Sequence, residues 1–200
     1  MKRPSVIGYR APWQGAVVLA ALSLVGCGSS TSSSTQPTTD QGGAPPAESA
    51  AKGDAVSGDM AIVLREHNKL RAQHCAPALA WSNEIAASAQ GWADALAKNN
   101  CAFEHSESAY GENLAMGSDS IMGPEQAVAL WYQEKSAYDF KAGGFSLDAG
   151  HFTQLAWIGS QRMGCGRARC DGQTIWVCNY DPPGNMEGQF QANVKPKGCR

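Results

Sequence analysis

The sequence predicts an α+β domain, an antiparallel sheet covered by helices, carried behind an export leader and a tether. Three observations predict it. Apolar residues recur at steps of three and four through the first part of residues 59–200, and short β-rich runs fill the last part. Six of the seven cysteines fall in the same 142-residue stretch, which is long enough to bury a sizeable core. The first 58 residues contain no such pattern.

Residues 1–26 read as a secretion signal. Lys2, Arg3 and Arg10 make a positive start, and Ala16 to Val25 is almost wholly apolar. That run is shorter than the roughly 20 residues a membrane-spanning helix needs. It ends in Leu24-Val25-Gly26-Cys27, which resembles a bacterial lipobox: cleavage before Cys27, then lipid on that cysteine. Attached acyl chains hold a protein at a membrane. Gly28, where an inner-membrane retention signal has Asp, points to an outer membrane if the organism has one. Residues 27–58 follow as a linker of Ser, Thr, Pro, Gly, Ala and Gln, too poor in apolar residues to offset its ordering entropy.

Asp59 is a candidate cap for a first helix, with Met60, Val63, Leu64, His67, Leu70 and His74 on one face. Ser82 caps a second, striped by Ile85, Ala89, Trp92 and Leu96. Pro124 and Glu125 open a third, with Val128, Trp131, Lys135 and Tyr138 on a face. Phe152–Trp157, Met163–Ala168 and Thr174–Asn179 read as strands, broken by turns at Gly159-Ser160 and Asp171-Gly172. The tryptophans beyond the leader (Trp81, Trp92, Trp131, Trp157 and Trp176) fall in these patterns and read as core.

Composition excludes several functions. The net charge is −2, and removal of the leader makes it three units more negative, so no basic stripe awaits nucleic acid. The chain has no phosphate-binding GxxxxGK[ST], no GxGxxG, no GxSxG, no HExxH and no CxxC.

With Cys27 given to lipid, Cys75, Cys101, Cys165, Cys170, Cys178 and Cys199 remain. An even number in an exported chain favours three disulfides over a zinc–thiolate cluster, and spacing alone leaves the pairing open. There are four histidines. His67 and His74 are separated by two helical turns, about 10.5 Å, too far for one ion. His105 lies between two helices, and His151 stands where a loop enters the strand expected at 152–157. Loops on a rigid scaffold often carry function.

Four motifs then stand in order: His67-Asn68-Lys69-Leu70-Arg71, Gly111-Glu112-Asn113-Leu114, Gly150-His151-Phe152-Thr153-Gln154-Leu155-Ala156-Trp157, and Ile175 to Asn185 with Cys178-Asn179-Tyr180 at its centre. Together they resemble the CAP superfamily of cysteine-rich secretory, antigen 5 and plant pathogenesis-related class-one proteins, and its bacterial, plant and fungal members above all. The resemblance implies a three-layer α-β-α sandwich with a central antiparallel sheet. It implies a cleft with two His and two Glu, here His105, Glu112, Glu134 and His151, where zinc or another divalent ion binds in some members. It implies that His67, Asn68 and Arg71 brace the fold. It suggests disulfides Cys101–Cys170 and Cys165–Cys178, which leaves Cys75–Cys199. In fungal relatives the loop matching Tyr138 to Phe145 takes part in sterol binding, which makes Tyr138, Phe140 and Phe145 ligand candidates.

Three functions follow from this reading. The first is an anchored binding module for a lipid, a sterol or an envelope component, and it is favoured. The second is a metal-dependent hydrolase or protease, with Glu112 or Glu134 as base. The third is a surface protein that engages another cell.

Overall fold

The computed structural model describes residues 54–199. The leader, Cys27 and most of the linker lie outside the described residues. The elements run α1 (Gly58–Gln73), β1 (Ala80–Trp81), α2 (Asn83–Lys98), β2 (Gly111–Ser118), α3 (Pro124–Gln133), a 3-10 turn (Glu134–Ala137), α4 (Gly150–Ala156), β3 (Arg162–Cys170), β4 (Gln173–Asp181) and α5 (Phe190–Asn193). Among the described residues no helix is long and apolar enough to cross a membrane.

The sheet order is β1-β3-β4-β2. β2, β4 and β3 are antiparallel, with Glu112 opposite Asn179 and Cys165 opposite Cys178. The two-residue β1 adds a parallel edge to β3, so the sheet is mixed rather than wholly antiparallel. Successive β4 residues face opposite sides, as strand pleating requires. Trp176, Cys178 and Tyr180 pack with Val63 of α1, Val128 and Trp131 of α3, and Leu155 of α4. Ile175 and Val177 pack with Ala89, Ala93 and Leu96 of α2. Helices therefore cover both faces, which gives the expected α-β-α sandwich.

Two glycines of β3 let α2 approach. A Cβ on Gly164 would stand 2.1 Å from the Ala86 nitrogen, and one on Gly166 would stand 2.2 Å from the Gln90 Cα. A third cluster, around Phe152, Trp157 and Phe190, fills the space beneath α4 and α5. Disulfides join Cys75 to Cys199, Cys101 to Cys170 and Cys165 to Cys178.

Several local expectations are corrected. Residues 150–156 form helix α4, not a strand. The third helix ends at Gln133 and tightens into the 3-10 turn, so Tyr138 leaves the helical face in extended backbone. The residue before α1 is Ser57, while Asp59 lies in the first turn and pairs with Arg167. Ser82 does cap α2, its hydroxyl accepting from the Ile85 N–H. Ordered contacts begin before residue 59: the Asp54 N–H donates to the Trp81 carbonyl, and its carboxylate accepts from the Asn83 N–H.

Candidate functional site

The four expected site residues come from four places in the chain. His105 lies in the loop between α2 and β2, and Glu112 is the second residue of β2. Glu134 follows the last residue of α3, and His151 is the second residue of α4, so it begins a helix rather than a strand. The loop bearing His105 is fastened by the Cys101–Cys170 disulfide and by Trp92, whose indole N–H donates to the Glu104 carbonyl.

The fold sorts the four into two pairs. His105 Nδ1 donates to Glu112 Oε1 at 2.7 Å. Glu112 is nearly buried, and its other contacts come from Ser106: the N–H reaches Oε1 at 3.0 Å and the hydroxyl reaches Oε2 at 2.6 Å. His151 Nδ1 donates to Glu134 Oε1 at 2.6 Å. Glu134 Oε2 accepts the backbone N–H groups of His151 and Phe152, at 2.8 and 3.3 Å. Glu134 thus also caps α4, whose preceding residue, Ala149, provides no side-chain cap.

Both carboxylates therefore hold an imidazole by Nδ1 and close their remaining valence on neighbouring donors. This is the arrangement that orients a metal-ligating histidine from behind. Two imidazoles suit zinc, and carboxylates that hold them by Nδ1 would polarise such a site. Among the described residues no group of three or more His, Cys, Asp or Glu is placed to hold an ion.

The motif residues around the pairs have structural work. Arg71 is fully buried and donates to four carbonyls, those of Pro77, Leu155, Trp157 and Ser160. Burial pushes its guanidinium down to about 10. Asn68 brackets Leu79, accepting from its N–H and donating to its carbonyl. Gly111 leaves room for Gln154, whose Oε1 would stand 2.1 Å from a Cβ there.

Of the three aromatic ligand candidates, Tyr138 is buried and packs edge-on to Phe140, 4.9 Å between centroids. Phe140 stacks on the buried His74 and leans on Phe152. Phe145 is 38% exposed and lies over Gly150 and Phe190.

Sequence reasoning missed three polar residues here, Asn113, Asn179 and Tyr180. Asn113, next to Glu112, donates to the His151 carbonyl and to the Tyr180 hydroxyl. Asn179, opposite Glu112 and on the same face, is buried with neither amide atom partnered among the described residues. All three stand inside the motifs, and that placement was the available signal.

Comparison with known proteins agrees with this architecture. The model described as cysteine-rich secretory protein family matches residues 64–180. Pathogenesis-related protein 1B of Nicotiana tabacum is 43% identical over 129 residues, covering 63% of this chain and 76% of its own. Protein PRY2 of Saccharomyces cerevisiae is 40% identical over 141 residues, 67% of this chain but only 40% of its own. Among solved structures, NaASP2 with Zn2+ is 29% identical, with a TM-score of 0.59 over 72% of this chain and 89% of that one. Schistosoma mansoni venom allergen-like protein 4, at 22% identity and a TM-score of 0.57, shares the fold over 72% of this chain and 97% of its own.

Proposed function

The chain belongs to the cysteine-rich secretory protein family, and from that premise we propose that its domain is a membrane-tethered binding module that captures a lipid or sterol. The observation that carries this reading is a groove between α1 and α3. It has a volume of about 320 Å³ and is lined by Leu70, Val128, Ala129 and Tyr132, with Glu66, Glu125 and Gln133 on its polar side. A small-molecule site is typically an apolar concavity of this kind with few polar groups, and this one stands at the small end of the usual range. An open groove of this size would hold part of an acyl chain or one edge of a sterol.

The tether belongs to the same proposal. Lipid on Cys27 would keep the domain at an extracytoplasmic membrane surface, the outer membrane where there is one, and the linker would let the groove face that surface. A divalent ion such as zinc on His105 and His151 would be a separate ligand of the domain, since neither histidine lines the groove.

Hydrolysis is the weaker reading. A general base needs a carboxylate oxygen within reach of a water, whereas Glu134 already accepts three N–H groups and Glu112 three donors.

The test is capture of radiolabelled cholesterol and of palmitate by the purified protein. Ala129→Trp, which puts an indole into the groove from a half-buried lining position, is expected to abolish retention of at least one probe. The His105→Ala/His151→Ala variant is expected to retain it. Turnover of an ester or peptide that is lost in the histidine variant would favour the hydrolase instead.

A further inference from the structure

The His151 carbonyl has a partner that no expectation of the site contained. Asn113 Nδ2 donates to it at 3.0 Å and to the Tyr180 hydroxyl at 3.2 Å. The Tyr180 hydroxyl lies 2.8 Å from His67 Nε2, and His67 Nδ1 lies 2.8 Å from the Val63 carbonyl. His67, Tyr180 and Asn113 are each essentially without solvent contact.

We propose that Asn113 is a positioning residue: through its carboxamide the buried His67–Tyr180 couple fixes where the backbone of His151, and with it the His151–Glu134 pair, stands. The inference rests on the reading that His151 belongs to the functional site.

The direction of each bond is forced. A carbonyl only accepts, so the proton of His67 sits on Nδ1 and points to Val63. Nε2 is then an acceptor, and the Tyr180 hydroxyl donates to it. The Tyr180 oxygen accepts one Asn113 N–H, and the other Asn113 N–H goes to His151. One donor pattern runs from α1 through β4 and β2 to α4. Inside a low-dielectric core such a satisfied chain is stiff, because breaking any link leaves a buried polar group unpaired.

α4 needs an external reference. It has seven residues, too few to be stable alone, and no side-chain cap at Ala149. Asn185 donates to the Gly150 carbonyl and accepts from the Thr153 hydroxyl, the Gln154 side chain bonds Gly184 and Ser160, and three further polar holds set the helix in place. Glu134 takes the N–H groups of His151 and Phe152, Arg71 takes the carbonyls of Leu155 and Trp157, and Asn113 takes the carbonyl of His151. The first two hold the helix by its ends, and the third ties the site residue itself to the sheet. Asn113 also adjoins Glu112 on β2, so adjacent residues of one strand hold the His151 backbone and the His105 ring.

The test is residue-resolved amide exchange on the full chain, comparing wild type with Asn113→Leu and Tyr180→Phe. Exchange at His151 and Phe152 is expected to accelerate about tenfold or more in Asn113→Leu, the equivalent of one lost hydrogen bond. The amides of Ala89 and Ala93 in α2 serve as the reference and are expected to change less. Tyr180→Phe, which deletes only the hydroxyl, is expected to give a smaller change at the same two amides, and it stands in if Asn113→Leu fails to fold. A uniform change across α2 and α4, or none at His151, overturns the proposal.

A zinc titration separates this from failure of the site reading. Binding lost in His151→Ala but about tenfold weaker in Asn113→Leu supports both. Equal affinity in Asn113→Leu and wild type overturns the positioning role. Absence of binding in wild type overturns the metal reading, and amide exchange then decides the positioning role by itself.

Discussion

Glu134 binds His151 twice over: its Oε1 accepts the imidazole Nδ1–H at 2.6 Å while its Oε2 accepts the backbone N–H of the same residue at 2.8 Å. One carboxylate so fixes both the ring and the helix that carries it. Replacing Glu134 by Gln removes one acceptor oxygen and the negative charge at the start of α4. The expected loss is about 1–3 kcal/mol of stability in urea unfolding. An unchanged midpoint would show that the pair is incidental.

Arg71 has no carboxylate partner in the bonds described; its cation is held by carbonyl oxygens alone, four of them. Arg71→Met removes the donors and leaves those carbonyls buried. The expected cost is more than about 4 kcal/mol, enough to prevent stable folding. Loss of near-ultraviolet circular dichroism at room temperature is the check, and a folded variant of normal stability would contradict it.

His67 links stability to pH. Burial pushes its imidazole down to about 4, against an ordinary 6.5. Between those values the unfolded chain binds a proton that the folded chain refuses, so stability is full above about pH 6.5 and falls as pH drops toward 4. The contribution of His67 is a loss of about 2 kcal/mol between pH 7 and pH 5. Urea unfolding at the two pH values should show a smaller difference in His67→Gln than in wild type. Equal differences would place the acid sensitivity elsewhere.

Two glycines should respond with opposite sign. Gly164→Ala forces a Cβ into the backbone of α2 and is expected to cost about 3 kcal/mol or more. Gly91, inside α2, has nothing within 4 Å of an added Cβ, so Gly91→Ala is expected to add about 0.5–1 kcal/mol. Thermal melts of the two variants check both signs.

The sequence made some of this legible and hid the rest for physical reasons. The first three helices were readable because each has one wet face; Val63 and His67 are buried on α1, and Ile85, Ala89, Ala93 and Leu96 on α2. α4 was misread because Phe152 to Ala156 are all buried, so no polar face betrays a helical period. β2 was missed because Gly-Glu-Asn-Leu-Ala-Met-Gly-Ser has little strand propensity and is held by its pairing with β4. The His–Glu set was legible only through the family motifs. Its partners stand 7 and 17 residues apart and meet through the fold. Asn113 and Tyr180 stood inside quoted motifs, but nothing local says that a hydroxyl on β4 reaches α1.

The central claim, that an apolar molecule is captured between α1 and α3, is tested most directly by titrating palmitate into the isotope-labelled protein and mapping the changed resonances. The account predicts that shifts concentrate at Leu70, Val128, Ala129 and Tyr132 and vanish in Ala129→Trp. Shifts confined to His105, Ser106 and His151, or none at saturating palmitate and cholesterol, would contradict it.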